Sequence, residues 1–160
     1  MMQIREYREN DLGEMIKIWN EVIEAGNAFA EEEYLDMQSG SAFFSSQSYT
    51  GVAETDGRIV GVYILHPNFT GRLGHICNAS YAVAADMRGQ RIGEQLVTDC
   101  MKKAREMSFR ILQFNAVVES NARARHLYER LGFTQIGTIP DGFRMKDGHY
   151  ENICPYYHML

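Results

Sequence analysis

The chain has 160 residues, 45% of them hydrophobic and 23% charged, enough for one domain (1–160) with a real core and no need of a second. A net charge of −5 and a pI near 5.5, with Lys and Arg dispersed apart from Arg88/Arg91 and the group Arg123, Arg125, Arg130, argue against a nucleic-acid surface. No run of about 18 uncharged apolar residues exists, residues 1–6 carry no apolar core, and Cys77, Cys100 and Cys154 lack any C-x-x-C spacing, so the expectation is a soluble, cytoplasmic protein with reduced thiols, no membrane span and no metal site.

In chain order, residues 4–8 read as a first strand. Asn10 or Asp11 then caps a helix with Leu12, Met15, Ile16, Trp19, Val22 and Ile23 on one face, and Gly26 ends it. The acidic run Glu31, Glu32, Glu33 is expected to start a second short helix, where carboxylates suit the dipole. A Ser-rich loop (39–48) leads to alternating runs at 50–54 and 59–65 around Asp56-Gly57, a hairpin signature. Strands are expected at 74–83 and 110–118, a long helix at 94–107, a shorter one ending at Gly132, and a closing strand pair near 133–138 and 150–160.

The most informative stretch is Met87-Arg88-Gly89-Gln90-Arg91-Ile92-Gly93, between an apolar run and the long helix. A strand that breaks into a Gly-punctuated turn and opens a helix leaves N–H groups unpaired at the positive end of a dipole, which favours a phosphate or pyrophosphate. The spacing is not a P-loop, because Gly89 and Gly93 are too close and Glu94-Gln95 follow, and it is not G-x-G-x-x-G. On its own, R-G-x-x-x-G is equally compatible with a turn that binds nothing.

A second segment runs from Asn121 through Leu127, Tyr128 and Leu131 to Gly132 and Phe133. With the first it resembles the GNAT superfamily of acetyl-CoA-dependent N-acetyltransferases, whose pattern is a strand ending in Val, an R-G-x-G-x-G/A turn, a long helix, a strand, and N-x-x-A-x-x-L-Y-x-x-x-G-F. Val83, Arg88, Gly89, Gly93, Asn121, Leu127, Tyr128, Gly132 and Phe133 match in order. The departure is Arg91, where the family has the middle glycine; a positive φ there would cost on the order of 1 kcal/mol or more.

The resemblance implies a mixed α/β fold: a central, mostly antiparallel sheet of about seven strands, splayed at its middle and flanked by about four helices. It also implies where acetyl-CoA sits. The pantetheine arm falls to Tyr81, Ala82 and Val83, with Asn121 either bonding the arm or capping its helix, and the pyrophosphate falls to Arg88, Gly89, Gln90, Arg91, Ile92, Gly93 and Glu94. Tyr128 takes the place of the general acid. A phenol with a reference pKa of about 10 stays protonated at neutral pH and can donate to a thiol-type leaving group of about 8.5.

An amine acceptor must lose a proton, but the strand at 114–118 has no carboxylate. Glu119 and His75 lie beyond strand ends, and a water relayed by polar groups is the preferred base. Asn78 and Asn115 each interrupt an apolar strand, where an unpaired buried amide costs a few kcal/mol. They either satisfy each other or face the cleft as acceptor ligands. The run Phe114-Asn115-Ala116-Val117-Val118-Glu119-Ser120-Asn121 resembles the F-N-x-V-x-x-x-N signature of a GNAT subgroup that includes acetyltransferases for small imino and amino acids. The implied acceptor is a small amine, zwitterionic and amino-acid-like, with a homodimer left open. A protein N-terminal acetyltransferase and a non-catalytic acyl-CoA sensor are the alternatives.

Overall fold

β1 (Met2–Glu6) stops two residues short of the expected strand end because Asp11 pulls the chain into a turn. Its carboxylate accepts from the Arg8 backbone N–H at 2.7 Å and from the Arg5 guanidinium at 2.8 and 3.1 Å. In the computed structural model, which describes residues 1–160, α1 (Leu12–Ala25) follows, with the expected apolar face and Ile18 buried, and ends at Gly26.

The second helix is a correction. Glu31 to Glu33 form no helix, and α2 (Met37–Ser45) instead overlaps the segment 39–48 read as a Ser-rich loop. The local reason is a capping box: Asp36 Oδ1 accepts from the Ser39 N–H at 2.8 Å, and Ser39 Oγ accepts from the Asp36 N–H at 2.9 Å. Phe43 and Phe44 then pack on Trp19, with ring centroids 5.6 and 5.5 Å away. The acidic run has no such apolar anchor.

β2 (Tyr49–Thr55) and β3 (Arg58–Pro67) form the expected hairpin, with Asp56 and Gly57 both at positive φ. β4 (Ile76–Val83), α3 (Ile92–Glu106), β5 (Ile111–Val118) and α4 (Ala122–Arg130) follow. The C-terminal part holds three strands rather than two: β6 (Thr134–Gln135), β7 (Ile139–Arg144) and β8 (Tyr150–Met159). β7 contains Pro140 and Gly142, which read as loop, and it pairs with β8 only at its ends, at Ile139↔Ile153 and from Phe143↔Glu151 to Arg144↔Tyr150.

The eight strands make one open sheet, ordered β1-β2-β3-β4-β5-β8-β6 with β7 also on β8, antiparallel except between β4 and β5. Strand alternation sends Val52, Val62, Ile64 and Ala82 to a core under α1 and α2. It sends Tyr63, Leu65, Cys77 and Leu112 to a second core under α3, closed by Leu96, Val97, Cys100 and Ala104, and the register shift between Ala53 and Glu54 brings Val60 to that core as well. A Cβ on Gly61 would meet Leu96 Cδ1 at 2.9 Å and Ile92 Cγ2 at 3.1 Å, so bare backbone lets the start of α3 sit close against the sheet. No helix is long and apolar enough to cross a membrane.

Candidate active site

β4 and β5 pair only at Ile76↔Ile111 and Cys77↔Leu112, and beyond these rungs the strands part. On its other side β4 bonds β3 through even-numbered residues: the Asn68 N–H donates to the Ile76 carbonyl at 2.8 Å and the Ala84 N–H to the Val60 carbonyl at 2.9 Å. Antiparallel alternation therefore turns the backbone groups of Ala79, Tyr81 and Val83 toward the opening. The Ala79 N–H is taken by Asn78 Oδ1 at 2.7 Å. Tyr81 and Val83 keep free groups there, and such groups need a partner. Ala82, expected to act with them, is opposite Val62 and offers the gap no free backbone group.

Past Val83, Gly89 has φ 83° and Arg91 has φ 60°, so the turn keeps its left-handed residue although a Cβ is present there. α3 starts at Ile92, two residues before the expected Glu94, and its first intrahelical bond runs from the Gln95 N–H to the Arg91 carbonyl at 3.2 Å. The N–H groups of Ile92, Gly93 and Glu94 thus have no helical acceptor. They border a cleft of about 780 Å³, also lined by Arg88, Gly89, Arg91, Arg123 and Arg130. Arg130 is paired with Glu94 at 2.7 Å. Gln90 does not line the cleft; its amide donates to Met87 Sδ at 3.8 Å. The free amides, the dipole and the guanidinium groups together fit a pyrophosphate.

α4 is a polar helix with no fully buried residue. Asn121 Oδ1 caps it by accepting the Ala124 N–H at 3.2 Å, and Asn121 also lines both clefts of the site. Arg125 ties the helix to the sheet, donating to the Tyr156 hydroxyl at 3.1 Å, the Glu119 carbonyl at 3.1 Å and Gln135 Oε1 at 3.2 Å, while the Tyr156 hydroxyl donates to Glu129 Oε1 at 3.0 Å. Tyr128 lies over Phe114, centroids 4.5 Å apart, and lines the second cleft. Its hydroxyl makes no hydrogen bond and is not sealed from solvent, whereas the Tyr81 hydroxyl is sealed without a partner. Burial pushes the Tyr128 phenol above its ordinary value and pushes the Cys77 thiol up to about 12.

The second cleft, of about 610 Å³, meets the first at Ala28, Tyr81, Asn121 and Ala124. Asn78 and Asn115 both line it. They are joined through a residue that no sequence pattern singles out, Asn68, in the loop after β3. Asn115 Nδ2 donates to Asn68 Oδ1 at 2.7 Å, Asn68 Nδ2 donates back to Asn115 Oδ1 at 3.0 Å, and Asn78 Nδ2 donates to Asn68 Oδ1 at 3.4 Å. Asn78 and Asn115 do not bond each other directly; Asn68 bridges them, and both line the cleft. Glu31 and His66 also line it, and no Lys or Arg does. The His66 Nδ1–H donates to the Pro67 carbonyl at 2.9 Å, which leaves a lone pair on Nε2 of the neutral ring. Glu119 and His75 line neither cleft; Glu119 is held by Asn152 Nδ2 at 3.4 Å. No group of three or more His, Cys, Asp or Glu side chains gathers to hold a metal ion.

Residues 13–133 match the model of the acetyltransferase (GNAT) family. N-acetyltransferase aca1 of Schizosaccharomyces pombe is 33% identical over 102 residues, 62% of this chain and 49% of that protein, so the chain spans about half of that relative's length. The L-methionine sulfoximine/L-methionine sulfone acetyltransferase of Pseudomonas aeruginosa is 26% identical over 145 residues, 86% of this chain and 83% of its own. A GCN5-related N-acetyltransferase from Kribbella flavida superimposes with a TM-score of 0.91 at 32% identity, covering 99% of this chain and 98% of the other.

Proposed function

The chain belongs to the acetyltransferase (GNAT) family, and from that premise we propose that it transfers an acetyl group from acetyl-CoA to the amine of a small, amino-acid-like acceptor. The carrying observation is the meeting of two clefts at the open end of the β4–β5 split, beside a Tyr128 hydroxyl that has no partner.

In this reading the free backbone groups of Tyr81 and Val83 bond the pantetheine arm as an added strand would, with Asn121 at the arm's far side. The amides of Gly89 and of Arg91 to Glu94 and the guanidinium groups of Arg88 and Arg91 hold the pyrophosphate. The acceptor amine enters through the second cleft and attacks the thioester directly, without a covalent enzyme intermediate. Its proton leaves to water held between polar groups of that cleft, with His66 Nε2 and the Glu31 carboxylate as the lining groups able to receive it.

Tyr128 then protonates the departing thiolate. Burial raises this phenol above its ordinary value, which keeps it protonated as a donor at neutral pH. The acceptor class rests on the amides of Asn78 and Asn115, supported by a relative named for methionine sulfoximine and methionine sulfone. The test is a screen of amines and amino acids with acetyl-CoA, following free thiol. Acceptor-dependent thiol release is expected. Absence of release with every acceptor, together with no acetyl-CoA binding by calorimetry, would sink the proposal.

A further inference from the structure

The amide cluster of Asn68, Asn78 and Asn115 sits where β4 and β5 begin to part, and its orientation is set by a single backbone group. The Ala79 N–H can only donate, so the atom 2.7 Å from it is the Asn78 carbonyl oxygen. Asn78 then presents its NH₂ to Asn68, which fixes the Asn68 oxygen on that side and its NH₂ on the other, and this in turn fixes Asn115. Gln113 Nε2 adds a second donor to Asn115 Oδ1 at 3.0 Å.

A primary amide has two N–H donors and two oxygen lone pairs. Both lone pairs of Asn68 are taken, by Asn78 and Asn115, and both of Asn115, by Asn68 and Gln113; Asn78 keeps one. Each of the three amides has given only one N–H. What the cluster has left is donors: one spare N–H on each side chain against a single free lone pair. Asn78 and Asn115 line the acceptor cleft, and Asn68 stands behind them.

We propose that Asn68 is a positioning residue: by donating to the Asn115 oxygen and accepting one N–H from each neighbour it orients Asn78 and Asn115 as a pair of N–H donors that holds the carboxylate of the acceptor. The proposal rests on the amine-acceptor reading above and adds which end of the acceptor the cluster takes. A carboxylate uses oxygen acceptors only and matches spare N–H groups; an ammonium would find one free lone pair. Because no Lys or Arg lines the cleft, neutral donors do this work, and the unpaired carboxylate of Glu31 leaves the cluster as the place where a negative group is accepted.

The experiment compares L-amino acids and L-methionine sulfone with their decarboxylated amines, in the wild type, Asn68→Asp and Asn68→Ala. The carboxylate introduced by Asn68→Asp would still accept from both neighbours, but it cannot donate to Asn115 and it puts a negative charge behind the donors. For the wild type, the free acid should exceed its decarboxylated amine in kcat/KM by about tenfold or more. In Asn68→Asp that preference should vanish through the KM of the acid, with the KM for acetyl-CoA and for the decarboxylated amine unchanged, and Asn68→Ala should lose part of it. A purely structural role would weaken acid and amine alike and overturn the proposal, as would a wild type that prefers the decarboxylated amine. A second readout needs no turnover and separates this from failure of the acetyltransferase reading. The side-chain amide NMR signals of Asn78 and Asn115, without acetyl-CoA, should move with L-methionine sulfone and not with its decarboxylated amine. Equal movement, or none, overturns the proposal whatever the screen finds.

Discussion

The two clefts share a border at Tyr81 and Asn121 but are built from different material. The one against α3 is made of backbone: free groups on β4, a left-handed turn, and the unbonded amides that open a helix. The one under α2 is made of side chains drawn from the segment after α1, α2, β3, β4, β5 and α4. A backbone site needs a contiguous run that permits a shape, so it leaves a short local signature. A side-chain site needs residues far apart in sequence, and no local pattern marks them.

That contrast can be broken by substitution. The largest expected effect is at Tyr128, in the second cleft: Tyr128→Phe should lower kcat by about 10²–10⁴-fold while acetyl-CoA affinity stays nearly constant. In the wild type, burial that raises the phenol above its usual value keeps it protonated, so kcat should rise as the amine deprotonates and hold at least to about pH 10. Next come the acceptor amides. Asn78→Ala or Asn115→Ala should cost about 1.5–3 kcal/mol, read as a higher acceptor KM with acetyl-CoA binding intact; wild-type turnover in both variants would make these residues structural.

A region outside both clefts gives a control of similar size. The Arg5 guanidinium holds the Asp11 carboxyl below its ordinary range. A depressed native pKa contributes stability that is complete above the unfolded value of about 4 and fades as pH falls through the native one. Asp11→Asn should therefore lose about 2 kcal/mol at pH 7, lose progressively less relative to wild type below pH 4, and leave both KM values alone, as thermal melts and kinetics would reveal. Smallest is Arg91→Gly, which removes a left-handed Cβ and one guanidinium together; calorimetry should find acetyl-CoA binding within about tenfold of wild type.

What can be read from the sequence follows the same division. The periodic face of α1, the Asp56-Gly57 hairpin, the turn into α3 and the Asn121-to-Phe133 helix all announce themselves within a dozen or so residues. α2 does not, because an acidic run suits a helix N-terminus electrostatically, whereas the capping box at Asp36 and Ser39 and the packing of Phe43 and Phe44 on Trp19 decide where the helix forms. β7 is hidden because Pro140 and Gly142 read as loop, and the strand holds to β8 by its ends. In the site, Asn78 and Asn115 stand out as amides in apolar strands. Asn68, His66 and Glu31 do not, since a polar residue in or beside a loop is ordinary until the fold brings it to a cleft.

In the proposed reaction Tyr128, which lines the second cleft one helical turn beyond the Ala124 border, gives its proton to the departing thiolate. The most direct test compares wild type and Tyr128→Phe across acetyl thioesters of increasingly acidic thiols, with chemistry kept rate-limiting. A better leaving group needs less help, so the ratio of the two kcat values should shrink steadily toward one as the thiol becomes more acidic. A ratio that stays constant across the series would contradict the account and leave Tyr128 a packing residue over Phe114.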